Sequence, residues 1–168
     1  MKTPSIAVAA GSLSVALALA VGLSGCSSSA SSVAALAKAK ATTLSVEFKM
    51  ASFIPKSSVI SVDQPRRSKV LFACLGSSNT SYWPSTMTVS LKPGLNTANV
   101  LYEIGSYWTG KNGWTATNGT AADGTPTMDV TSNSGYNFTA EFAQGPVFTV
   151  TAISACFPNS GLAGRSSY

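Results

Sequence analysis

Chemistry at neutral pH needs a proton-transfer group, a nucleophile or a metal-binding set, and this sequence is short of all three. It contains no histidine. That removes histidine-activated serine and cysteine nucleophiles and the commonest transition-metal ligand. Six carboxylates are present: Glu47, Asp63, Glu103, Asp123, Asp129 and Glu141. A pair of them would suffice for carboxylate-based hydrolysis, as in glycoside cleavage. Most have simpler roles. Asp123 precedes Gly124 in a turn signal, and Glu103 falls on the polar face of a helical pattern. Asp129 and Glu141 lie on the polar phase of neighbouring candidate strands. No phosphate loop, dinucleotide fingerprint, nucleophile elbow or calcium loop is present. No catalytic, cofactor or metal site is assigned, and a non-enzymatic chain is expected. Aromatic residues are the other candidates for contact. Trp108 and Trp114 read as core, whereas Tyr82-Trp83, in a segment rich in Ser and Asn, reads as an exposed pair able to touch a ligand.

Cysteine carries the strongest signal. Met1-Lys2 gives a short positive start, and Ile6 to Leu23 is an uncharged run of apolar and small residues. A run of this length could span a bilayer, but its N-terminal position, its Ala and Gly content and its small-residue ending fit a cleaved leader better. The ending Leu23-Ser24-Gly25-Cys26 resembles the lipobox of bacterial lipoproteins. The resemblance implies that the Cys26 thiol takes a diacylglyceryl group, that cleavage falls between Gly25 and Cys26, and that the new amino group can be acylated. Two acyl chains hold a protein on a membrane where one does so only marginally. The expected address is the extracytoplasmic face of the cell membrane. An uncleaved anchor is the alternative.

With Cys26 given to lipid, Cys74 and Cys156 remain as an even pair in an oxidising compartment, where a disulfide is the natural state. It would close a loop of about 80 residues, worth roughly 4 kcal/mol. Two free thiols or a redox pair would be the alternative, without the CxxC spacing such sites use.

The elements that must hold these residues follow from pattern. Residues 1–25 are the leader. Residues 26–40, and Ser27 to Ala37 in particular, are Ser- and Ala-rich and read as a flexible tether. Residues 41–158 form one domain, and 159–168 read as a loose Gly- and Ser-rich tail. Leu44 to Ile54 fits strand alternation or a helix ended by Pro55, with the helix favoured. Short strands are expected at Val70–Cys74 and Thr86–Leu91, then a helix over Thr97–Trp108 capped by Asn96 or Thr97. A meander follows at Trp114–Asn118, Thr127–Thr131, Tyr136–Phe142 and Val147–Ser154. The expected fold is α+β: an antiparallel sheet of about five strands with one or two helices on one face.

Net charge is +5, and the only dense basic run is Arg66-Arg67-Ser68-Lys69. It reads as a solvated loop before a strand. The other use for such a run is contact with anionic head groups. No aromatic residues are interleaved with it, so nucleic acid is not an expected partner.

From Ile54 to Phe157 the chain resembles small secreted lipoproteins of actinobacterial type. The resembling residues are IPKSSVISVDQ, Cys74, YWPSTMTVSLKPG, a helix, GW, DGTP and SACF. The resemblance supports the α+β fold, the helix before Pro55 and the cysteine pair, and carries over no catalytic residue. The expected role is a monomeric, membrane-anchored lipoprotein that binds an unidentified protein or envelope ligand or supports the envelope. A lipid or small-molecule carrier with an apolar pocket between helix and sheet is the alternative.

Overall fold

The computed structural model describes residues 27–66, 70–143, 145–163 and 167–168. The leader, Cys26 and most of the basic run lie outside these residues. The fold is α+β. Helix α1 (Ser27–Ala51) leads through a 3₁₀ turn (Lys56–Ser58) into β1 (Val59–Asp63). Then follow β2 (Phe72–Ala73), β3 (Thr80–Tyr82), β4 (Pro84–Leu91), α2 (Thr97–Thr109), β5 (Trp114–Thr120), β6 (Pro126–Ser132), β7 (Asn137–Ala143), β8 (Val147–Ile153) and β9 (Phe157–Pro158). Six strands form one antiparallel sheet in the order β1-β4-β8-β7-β6-β5, and three short ones form a second, β2-β3-β9. About five strands were expected. Strand β1 was missed because the sheet covers little of its side chains, and two- and three-residue strands leave no periodicity to detect.

Alternation builds the large sheet. Met87, Val89 and Leu91 of β4, Val130 of β6, Phe138 and Ala140 of β7, and Phe148, Val150 and Ala152 of β8 all point to one side and are buried. The opposite face carries Thr86, Thr88, Thr117, Asp129, Thr139, Glu141, Thr149 and Thr151 in cross-strand rows. One apolar and one polar face is how an antiparallel sheet meets a helix layer on one side and water on the other. Turns set the register. Asp123 Oδ1 accepts from Thr125 N at 2.9 Å, and Gly124 (φ 86°) and Gly135 (φ 90°) supply left-handed positions that side chains resist.

Helix α2 matches its expected span to within a residue. Asn96 Oδ1 accepts from Asn99 N at 3.1 Å, as an N-cap should. Val100, Leu101, Ile104 and Trp108 face the sheet. Gly105 permits the close approach: a Cβ there would lie 2.7 Å from Met128 Cε.

The tether expectation is corrected. Residues 27–40 belong to α1, which runs without interruption from Ser27 through the segment left open between helix and strand. Its buried positions are Ser32, Leu36, Ala39, Thr43, Val46, Glu47 and Met50. They recur at three- and four-residue steps, one stripe of a helix. Composition misled because three of the seven are Ser, Thr or Glu. The C-terminal half of α1 packs on the large core with Ile54, and its N-terminal half packs Leu36 and Ala39 on Trp83, Phe157 and Leu162. The tail is corrected as well. Leu162 is buried, Asn159 Nδ2 donates to Ser81 Oγ at 2.9 Å, and Tyr168 Oη donates to Leu162 O at 3.0 Å.

Candidate functional site

Cys74 and Cys156 are disulfide-bonded, with Cα atoms 6.3 Å apart and a separation of 82 positions in sequence. The bond joins the end of β2 to the approach of β9, stapling the small sheet, while Cys26 lies outside the described residues. Asn159 and Ser154 tie the same region to the chain around Trp83. Trp83 N donates to Ser154 Oγ at 2.9 Å, and Ser154 N donates to Trp83 O at 3.0 Å.

The exposed-aromatic expectation fails for Trp83. Its side chain is 1% exposed, enclosed by α1 and the tail, with Lys40 Nζ 5.3 Å from the ring centre. Tyr82 is half-buried and stacks on Phe72 at 5.5 Å. A Tyr-Trp pair in a polar segment says nothing about a helix 40 residues away that covers it. Trp108, as expected, is core, with its ring 4.5 Å from that of Trp114.

Asp129 and Glu141 stand on the helix-free face of the sheet. Asp129 pairs in register with Thr139, and Glu141 with Thr127, so the two carboxylates are diagonal neighbours. Asp129 Oδ1 accepts the Thr139 hydroxyl at 2.7 Å. Among the described residues, no group of three His, Cys, Asp or Glu side chains is placed to hold a metal ion.

The carboxylate with unusual chemistry is Glu47, which sequence alternation put on a polar side. It is fully buried on the inner face of α1. Gln64, just past β1, donates from Nε2 to Glu47 Oε2 at 2.7 Å and to Leu44 O at 3.2 Å. Burial pushes the Glu47 carboxyl above its ordinary value, and the Gln64 amide and Ser85 hydroxyl draw it only part of the way back. Glu47 Oε1, Gln64 Oε1 and Ser85 Oγ lack partners of good geometry. A proton on Oε1 would turn that orphan from an acceptor into a donor. The helical spacing of Leu36, Thr43, Glu47 and Met50 was the sequence signal that could have found it.

One open groove of about 620 Å³ runs between α2 and the β5–β6 hairpin. Leu101, Tyr102 and Gly105 form its helix side, and Ala116, Pro126 and Met128 its strand side. Tyr102 is 71% exposed at its rim. The groove opens at the edge of the helix–sheet interface, since Leu101 and Met128 both line it and belong to the core, while Trp108, Trp114 and Phe138 pack ring against ring deeper in.

No protein-family model matches the chain, and no curated protein or solved structure shows significant similarity to it.

Proposed function

We propose that this chain is an exported lipoprotein, held on the outer face of a membrane through Cys26, whose domain binds a partner or ligand instead of converting a substrate. The observation that carries the reading is the disposition of the three cysteines. Cys74 and Cys156 satisfy each other, a pairing suited to an oxidising, extracytoplasmic compartment. That leaves Cys26 without a cysteine partner in its own chain, at the end of a hydrophobic leader whose last residues resemble a lipobox. Among the described residues no helix is long and apolar enough to cross a membrane. The resemblance to small actinobacterial-type lipoproteins supports the same reading.

The test is Cys26→Ala in the full chain. The variant should move from the membrane fraction to the soluble one, and unchanged retention would reject anchoring through this residue.

The groove beside α2 supports a second reading, transport or capture of a small apolar molecule at the surface. Ser106 lines it on the helix side. Ser106→Trp should abolish binding of an apolar fluorescent probe, and equal binding by both forms would remove the groove from consideration.

A further inference from the structure

The large sheet ends on two unlike edges. Strand β1 is five residues long, its pairing with β4 slips between Val59 and Ser61, and it ends in Asp63. A short, bulged strand with a charge is how an edge is kept from pairing with foreign chains. The other edge, β5, has none of these devices. Its seven residues, WTATNGT, include no charge and no proline, and they pair with β6 without a break. Among the described residues no strand pairs with its outer side.

The ladder shows which backbone groups face outward. Asn133 N donates to Gly113 O at 2.9 Å, and Ala121 N donates to Thr125 O at 2.8 Å. Both pairs continue the β5–β6 register. Antiparallel pairs alternate between bonded and unbonded, so the odd-numbered residues of β5 bond to β6. The N–H and C=O of Ala116, Asn118 and Thr120 therefore point away from the sheet. Ala116 and Asn118 pair with Val130 and Met128, both in the core, and both line the groove of about 620 Å³. The same residues thus turn unpaired backbone to the edge and side chains to the groove. Across from them Ala98, Leu101, Gly105 and Thr109 follow at three- and four-residue steps, so the groove runs along α2.

We propose that β5 and the groove beside α2 together bind an extended, uncharged peptide segment of a partner. The segment adds a seventh strand to the six-stranded sheet and places alternate apolar side chains in the groove. This rests on the binding reading above and gives the partner its chemistry. No charged residue lies in β5 or lines the groove, so a charged side chain entering it would lose hydration and find no counter-ion. A second copy pairing through β5 would satisfy the same backbone groups. It would bring only Ala116 and Asn118 to the groove, and these are too small to fill it. A small apolar molecule would fill the groove and leave the backbone groups unused.

The test uses the full chain, purified from membranes in detergent, and an array of linear seven-residue peptides, the length of β5. One set carries Leu, Val or Phe at alternate positions with Thr between them, and a second set carries Lys or Glu at those positions. The uncharged set should bind and the charged set should not. Asn118→Pro removes an outward N–H and no bond to β6, and should weaken binding about tenfold. Asn118→Ala keeps that N–H and should bind as the native chain does. N-methylation of a bound peptide should abolish binding at alternate amides and be tolerated at those between. That result tests the ladder on the native chain even where the proline variant does not fold. Failure of every uncharged peptide, with the apolar probe still bound and still blocked by Ser106→Trp, overturns the proposal and leaves the binding reading standing. Failure of peptides and probe together overturns both. Binding indifferent to Asn118→Pro and to N-methylation at every amide assigns the groove to side chains alone and overturns strand addition. A dimer of the native chain that Asn118→Pro dissociates assigns the edge to a second copy, with the same consequence.

Discussion

The two ends of this molecule are stabilised differently. Beneath α2 the large sheet presents a continuous apolar interior, with Met87, Val89, Ile104, Val130, Phe138, Phe148 and Val150 all buried. Beneath the N-terminal half of α1 the apolar cluster is small, built on Leu36, Ala39, Trp83, Phe157 and Leu162. Buried Ser32, Ser81 and Ser154 accompany it, Thr43 and Glu47 lie buried further along the same helix, and the disulfide lies beside the small sheet. A small cluster releases little free energy on burial, so a crosslink and hydrogen bonds do more of the work there.

The largest way to test this contrast is to remove the staple. Replacing Cys74 and Cys156 together by serine should cost about 4.5 kcal/mol, since the bond closes a loop of 82 residues. Urea unfolding measures it, and a loss under about 1 kcal/mol would mean that the α1 end holds without the bond. Phe148→Ala, at the centre of the apolar interior, should cost about 4 kcal/mol in the same assay. Its cost should persist in reductant, whereas the disulfide's contribution vanishes.

Ala37→Pro asks whether the first residues after Cys26 are helix. The position is exposed within α1, so a docked helix should lose about 3 kcal/mol. A change below about 0.5 kcal/mol would restore a tether in its place.

Glu47→Gln is the smallest and the most pH-specific. The folded carboxyl sits above its unfolded value of 4.5. Its contribution to stability is therefore fully present below pH 4.5 and is lost as pH rises through the folded value. Stability of the native protein should fall on that limb, and the glutamine variant should lack the fall. At neutral pH the variant should be about 1 kcal/mol more stable. A variant whose stability tracks the native curve at every pH would mean that Glu47 ionises as freely folded as unfolded.

Legibility in the sequence divides along the same line. Helix α2 and strands β4 to β8 were readable because their buried positions are apolar and keep period 3.6 or 2, with Asn96, Asp123-Gly124 and Gly135 marking the ends. The paired cysteines were readable by arithmetic once Cys26 was set aside. At the α1 end the signal failed. Ser32, Thr43 and Glu47 occupy inward positions, so a docked helix looked like a tether and a buried acid looked like a surface one. Trp83 looked exposed because only its neighbours in sequence were visible, and its cover comes from Leu36, Phe157 and Leu162.

The account depends most on Cys26. Trypsin should release from the membrane-purified protein a peptide running from Cys26 to Lys38. Its mass should exceed that of the bare sequence by a diacylglyceryl group, with or without a further acyl chain on the new amino terminus. An unmodified peptide running from Thr3 to Lys38, with the leader uncut and the Cys26 thiol free, would contradict the account.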